Sequence, residues 1–512
     1  MNHASSKVFA RYSRRLLRAL ALLLAVAVAL LLIAAINTAL TPSRQPQVTA
    51  MDGAALSTPA QLQQAAARLA AAIRKTTVSS QTDPALNREQ FLALHAQFEQ
   101  DYPLLHQHLQ REIIGDYSLL YRWPGQDEQA AAIVLMAHMD VVPIAPGTDE
   151  QWQVPPFAGV VQDGFVWGRG AWDDKGNLIA QLEAVEALLA SGFVPKRTVY
   201  LVYGADEEVG GDRGAKAIAT LLQQRGVRAE FVLDEGMLIT DGMIAGLSAP
   251  AALIGVAEKG YLSVNVQLRT TPGHSSMPPT NGAGAIEQLL KILQRLQQQP
   301  FPARIEGVAR EMFETLGPEM HGMSRLALTN LWLFEPLVKA QLAQAPGTNA
   351  MLRTTTAFTM INAGNKDNVL PGEANATINF RLLPGTRRDD VLAHVAQQAN
   401  AVVDEQAYTL TALPHGSEPS PVSATASRGY QWIARSLREL QPELLVAPGL
   451  MLGASDSRHF SVISEQIFRF SPIRAKPDDL ARFHGSNERL SLADLELMLR
   501  FYRRLLEQAA GQ

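Results

Sequence analysis

Apolar positions along the chain change spacing three times, and each spacing predicts a different kind of structure. Residues 19–36 are an unbroken apolar run of Ala, Leu, Val and Ile, and about 18 to 20 such residues cross a bilayer as a helix. A stretch rich in Pro, Gln, Ser and Thr over 42–59 reads as a linker. Helical periodicity then predicts helices over 59–74 and 87–98. Short apolar runs at 131–137, 197–203 and 231–233 alternate with helical patterns at 177–190 and 214–224. That alternation predicts a parallel α/β sheet, in which ligands bind beyond the carboxyl ends of the strands.

A second pattern starts near Gly260: strand 261–268, helix 283–298, strands 352–361 and 374–382, helix 388–402 and strand 408–413. This βαββαβ order predicts a small ferredoxin-like domain. Because α/β character resumes at 419, the small domain is expected as an insertion in the larger one. The expected division is a basic N-terminus 1–18, transmembrane anchor 19–40, linker 41–58, catalytic domain 59–259 and 416–512, and inserted lid or dimerisation domain 260–415. Segment 301–350 fits neither pattern and reads as a helical insertion of unassigned role.

Composition narrows the chemistry. The 512 residues are 47% hydrophobic and 18% charged, enough for a large core in two domains. A net charge of -4 provides no global basic field to recruit nucleic acid. With Cys 0, any metal must be held by His, Asp and Glu. Lys7, Arg11, Arg14, Arg15 and Arg18 precede the apolar run, whereas Asn37, Thr38 and Thr41 follow it. The positive-inside rule then predicts a single-pass anchor with a cytoplasmic N-terminus and an extracytoplasmic, periplasmic body. A cleaved signal peptide is the alternative, disfavoured by the length of the apolar core and the polar Asn37.

Candidate chemistry clusters just after the predicted strands. In His138-Met139-Asp140, residues two apart share a strand face, so Asp140 can accept from one ring nitrogen of His138 and fix its tautomer. The stretch Gly168-Arg169-Gly170-Ala171-Trp172-Asp173-Asp174-Lys175-Gly176 places adjacent carboxylates before a helix, where one can bridge two cations or simply cap the helix. In Asp206-Glu207-Glu208, one glutamate can bind metal while the other takes a proton from metal-activated water. Asp234 ends the third run, and His484 lies far downstream in Phe483-His484-Gly485-Ser486-Asn487-Glu488. His138, Asp173, Glu208, Asp234 and His484 make a complete nitrogen and oxygen donor set for two zinc ions sharing one carboxylate.

These motifs, with Gly453-Ala454-Ser455-Asp456-Ser457-Arg458-His459-Phe460, resemble the co-catalytic zinc aminoacylase and carboxypeptidase family that includes glutamate carboxypeptidase, succinyl-diaminopimelate desuccinylase and aminoacylase-1. The wording is most similar to the carboxypeptidase S and N-fatty-acyl-amino-acid hydrolase branch, from about Gln90 to the C-terminus, although Gly-Ala-Ser stands where branch members often read Gly-Gly-Thr. The resemblance implies a zinc-peptidase-like α/β catalytic domain and two Zn2+ per chain, other divalent ions suiting the same donors. It implies that Asp173 bridges both ions, His138 and Asp234 complete one, Glu208 and His484 complete the other, and Glu207 is the general base. It further implies that His274, in Thr271-Pro272-Gly273-His274, polarises the scissile carbonyl, often in a neighbouring subunit's site, consistent with a homodimer through the inserted domain. Arg381 would grip the substrate carboxylate and Asn368 would help to position it. The activity implied is cleavage of an amide bond beside a free carboxylate in a small molecule or short peptide. A strict dipeptidase and a non-catalytic zinc-binding paralogue are the competing readings.

Overall fold

The computed structural model describes residues 3–53 and 56–511, with side chains from Arg15 onward. Helix α1 (His3–Leu40) carries the apolar run, so the basic side chains of Lys7, Arg11 and Arg14 lie outside the described residues. Among the described residues it is the one helix long and apolar enough to cross a membrane. Helix α2 (Pro59–Ile73) starts at a capping box: Thr58 Oγ1 accepts from the Gln61 amide, and Gln61 Oε1 accepts from the Thr58 amide. There follow α3 (Arg88–Asp101), α4 (Pro103–His108), β1 (Gln110–Ile114), β2 (Ser118–Trp123), β3 (Ala132–His138), β4 (Val160–Gln162) and β5 (Phe165–Trp167). Next come α5 (Lys175–Ala190), β6 (Val199–Gly204), α6 (Ala215–Gln224), β7 (Ala229–Thr240) and β8 (Ala251–Glu258).

The second pattern comprises β9 (Gly260–Arg269), β10 (Gly273–His274), α7 (Ala285–Gln298), α8 (Gly307–Leu316), α9 (Gly322–Thr329), α10 (Leu331–Leu342) and α11 (Pro346–Leu352). It continues through β11 (Thr355–Ala363), β12 (Val369–Leu370), β13 (Glu373–Leu382), α12 (Arg388–Asn400) and β14 (Tyr408–Ala412). The chain closes with α13 (Arg428–Leu440), β15 (Leu445–Met451), β16 (Ile467–Ala475), β17 (Arg489–Ser491) and α14 (Leu492–Ala510).

Eight strands form the main sheet in the order β1-β2-β6-β3-β7-β16-β8-β15. It is mixed, not wholly parallel as the alternation predicts. Strands β3, β6, β7 and β16 are parallel neighbours, and so are β8 and β15. By contrast, β1 and β2 are joined by a three-residue turn and must run antiparallel, as β2 does to β6. Both faces of the centre are buried, which explains the continuous apolar runs. Along β3, Ile133, Leu135 and Ala137 face the core under α2, α5 and α14, while Val134 and Met136 face α6.

A separate four-stranded antiparallel sheet runs β11-β13-β9-β14. Leu262, Val264, Val266 and Leu268 of β9 and Ala376, Ile378 and Phe380 of β13 bury one face beneath α7 and α12. Their period of two is why the sequence reads clearly here. Strands β10 and β12 form a small exposed ribbon beside this sheet. Segment 301–350 folds as helices, of which α8 packs against β15 through Ala309, Met312 and Phe313.

Candidate metal centre

The acidic motifs meet at the carboxyl ends of β3 and β6 and at the middle of β7, just past its last pairing with β3 at Leu233. His138 is the last residue of β3. Its Nδ1 lies 2.9 Å from the backbone carbonyl of Asp140 and 3.5 Å from the Asp140 carboxylate, so the carbonyl is the closer tautomer-fixing partner. The carboxylate instead accepts from the amides of Glu207 (3.2 Å) and Glu208 (3.1 Å) and from Ser79 Oγ (2.7 Å). Asp140 therefore orients the turn bearing both glutamates as well as the imidazole.

Asp173 stands between two imidazoles. Its Oδ1 is 2.9 Å from His138 Nε2 and its Oδ2 is 2.8 Å from His484 Nε2, which also lies 3.4 Å from Glu208 Oε2. Donor atoms of His138, Asp173 and Glu208 all fall within 4.8 Å of one another. Glu208 Oε1 is buried without a hydrogen-bond partner. Asp234 is buried within β7, and its carboxylate is held by backbone amides: its Oδ2 accepts from the Ser457 amide at 2.8 Å and its Oδ1 from the Glu235 amide at 2.9 Å.

The electrostatics favour a cation. Burial alone would depress the His138 imidazole, yet the Asp140 and Asp173 carboxylates raise it well above its ordinary value. Asp173 and Glu208 push His484 up to about 10. Burial raises Asp173, but its two histidine partners pull it below the usual carboxylate range. Asp174, Glu207, Glu235 and Asp456 are raised by burial and by neighbouring carboxylates, and Asp234 by burial against its hydrogen-bond donors and His138. Buried carboxylates at this density are costly unless positive charge compensates them. The imidazole and carboxylate donors, with no thiolate, fit divalent ions such as zinc.

Glu207 differs from its neighbour. Its amide is held by Asp140, but its carboxylate has no hydrogen-bond partner among the described residues. It is thus free to accept a proton, with an affinity that burial and the charges of Asp456, Glu208 and Asp140 increase.

Several residues that hold the centre were not singled out by sequence reasoning. Glu488 Oε1 accepts from the amides of Gly170 (2.9 Å), Trp172 (3.0 Å) and Asp173 (3.2 Å). Its Oε2 pairs with Arg169 Nη1 at 2.6 Å, and Arg169 Nη2 donates to the His484 carbonyl at 3.1 Å. One buried ion pair therefore braces the loops of both Asp173 and His484. Its signal is positional: Glu488 closes the same short motif as His484. Lys175, brought down to about 7 by burial, donates to the carbonyls of Ala72 and Lys75 and ties the Asp173 loop to the end of α2. Asp456 is buried with neither oxygen partnered, in space that Gly204 and Gly211 leave open; a Cβ on them would meet its carboxylate at 2.7 and 1.8 Å.

The remaining sequence candidates lie apart from this cluster. His274 is exposed on β10, where its Nδ1 is 2.8 Å from Ser276 Oγ. Asn368 adjoins the facing strand β12, and its carbonyl accepts from the Ser275 amide at 3.1 Å. Arg381, near the end of β13, lies across from Tyr261 with its guanidinium 4.9 Å from that ring. No carboxylate among the described residues pairs with it; Glu373 is engaged by Arg269 and Gln267.

A model of peptidase family M20/M25/M40 matches residues 134–508. The chain is 37% identical over 486 residues to probable carboxypeptidase S-like 2 of Dictyostelium discoideum, covering 94% of this chain and 92% of that protein. It is 41% identical over 403 residues to N-fatty-acyl-amino acid synthase/hydrolase PM20D1 of Xenopus tropicalis, covering 78% and 77%. Among solved structures, the fold resembles an M20 family metallo-carboxypeptidase from Sulfolobus solfataricus, with a TM-score of 0.63 at 18% identity over 88% of this chain and 99% of that one. The chain belongs to peptidase family M20/M25/M40 and is an enzyme of the metallo-carboxypeptidase and amidohydrolase type.

Proposed function

We propose that the protein is a two-zinc hydrolase that cleaves the amide of an N-acyl amino acid or short peptide beside its free carboxylate. The observation that carries this reading is Asp173 set between His138 and His484, with Glu208 beside them and the carboxylate of Glu207 left unbonded. In the proposed assignment Asp173 would be shared by the ions, His138 and Asp234 would complete one site, and Glu208 and His484 would complete the other. The bound ions would acidify water and polarise the substrate carbonyl. Glu207 takes the proton from the attacking water and returns it to the leaving nitrogen. Asp140 keeps His138 and the Glu207–Glu208 turn in register.

The small sheet is proposed as a lid, bringing His274 to the developing oxyanion and Arg381 and Asn368 to the substrate carboxylate. The unpaired Arg381 supports the last role, because a guanidinium forms two parallel bonds to a carboxylate. Edge strand β11, which exposes Phe358, Met360 and Ile361, supports a homodimer through this sheet. Helix α1 is proposed as a single-pass anchor with the body extracytoplasmic, because basic residues precede its apolar span and polar ones follow it.

The test is to compare an N-acyl amino acid with its C-terminal amide on wild type and Arg381→Ala. Wild type is expected to prefer the free acid by about 2 to 5 kcal/mol of binding, and the variant to lose most of that preference. An equal preference in both rejects Arg381 as the anchor; no hydrolysis of any N-acyl amino acid or dipeptide rejects the activity.

A further inference from the structure

Helices α9 and α10 lie beside the carboxyl-terminal end of α1, and that contact is polar. Asn330, wholly buried between the two helices, donates from Nδ2 to the Ala34 carbonyl (3.0 Å) and to Thr38 Oγ1 (2.8 Å). Asn37 Nδ2 donates in return to the Thr329 carbonyl (2.9 Å) and to Asn330 Oδ1 (3.0 Å). Trp332 Nε1 also donates to Asn330 Oδ1, at 3.1 Å. Leu30, Ala34 and Thr38, spaced by four, are the covered face of α1 among its described side chains.

The outward surface of α9 and α10 is apolar and bare. Met323, Trp332 and Leu337 are 73%, 57% and 69% exposed. The charged groups of α10 are paired and half-buried, Glu335 with Arg310 of α8 at 3.2 Å and with Lys339 at 3.3 Å. Interfacial helices bury their apolar faces about 5 to 10 Å into the boundary between headgroups and acyl chains. From Leu30, the first covered residue of α1 among its described side chains, to Ile36, where the apolar run ends, the helix rises about 9 Å at 1.5 Å per residue. The depths agree, and Trp332 has the amphipathic ring favoured at that level.

We infer that α9 and α10 form a second membrane contact, a lipid-facing interfacial hairpin clasped to α1 through Asn330. This rests on the reading of α1 as an anchor, and it gives the insertion 301–350 a role: holding the body against the bilayer in one orientation. The cysteine-free chain makes the test direct. Single cysteines are introduced in the full-length protein as Met323→Cys, Leu337→Cys, Leu24→Cys in α1 and Val194→Cys in the exposed loop before β6, toward the opposite edge of the main sheet. Each is labelled with an environment-sensitive fluorophore and reconstituted in phosphatidylcholine vesicles carrying brominated acyl chains. Labels at 323 and 337 are expected to lose emission to brominated lipid and to resist aqueous iodide, as at 24, while the label at 194 shows the reverse. If 323 and 337 behave like 194 while 24 is quenched by lipid, the hairpin contact is wrong and the anchor stands. Labels at 323 and 337 shielded from both quenchers mean that protein covers the surface, which also overturns the proposal. If lipid fails to quench even position 24, the anchor reading falls and takes this one with it.

Discussion

The end of the main sheet and the rim of the small sheet both carry polar residues suited to catalysis, but they are built in opposite ways. At the main sheet, His138, Asp173, Asp234 and Glu488 are buried and each is held by at least one partner from a distant part of the chain. On the small sheet, His274 and Asn368 are exposed and Arg381 has no anionic partner. A centre that binds highly charged ions benefits from donors fixed before the ions arrive, because ordering costs are then met by folding. Groups that grip substrate can remain solvated until the substrate brings the missing charge. Damage to the groups that hold the centre should therefore appear in stability and metal content, and damage to the substrate-facing groups in substrate preference and turnover, with stability and metal content intact.

The largest effect is expected where that division is sharpest. Arg169→Ala leaves Glu488 buried without its ion-pair partner, and breaking such a pair costs about 3 to 5 kcal/mol. Chemical denaturation should show this loss together with weaker metal binding, since Arg169 also holds the His484 loop. A stability unchanged from wild type would mean that the centre is not braced as described. Glu207→Gln should keep the fold and both ions while turnover falls by at least about 100-fold, measured as kcat beside metal analysis of the same sample. Near-normal turnover would remove Glu207 as the base. The smallest structural effect belongs to His274→Ala: at an exposed ribbon position, stability should stay within about 0.5 kcal/mol of wild type, while kcat falls with metal content intact. Loss of metal in that variant would break the contrast between the two regions.

Much of this arrangement is legible in the sequence, for physical reasons that also explain what is not. The β9 and β13 strands show strict alternation because only one of their faces is buried, and the runs at β3 and β6 are continuous because both faces are. Predicted and observed boundaries there differ by a residue or two. Strand β7 reads as three residues yet extends from Ala229 to Thr240, because Asp234, Glu235 and Gly236 at the site interrupt its apolar pattern before Met237 to Ile239 resume it. The β8, β15 and β16 strands are not legible because the partners that set their pairing lie far along the chain, Leu445 against Ala251 and Ile467 against Val232; the β1–β2 hairpin is local, but its short strands carry no clear alternation. At the centre, donor types and motif order identify the candidates. The brace of Arg169 and Glu488 joins residues 319 apart, and nothing in either motif alone announces the other.

The central claim is that Asp173 is shared by two metal ions. Metal analysis of the full-length wild-type protein, saturated with zinc and freed of excess, should find about two ions per chain. Asp173→Ala should lose both together while circular dichroism keeps the α/β signal. One retained ion in the variant, or full occupancy, would contradict the shared carboxylate and the assignment of donors built on it.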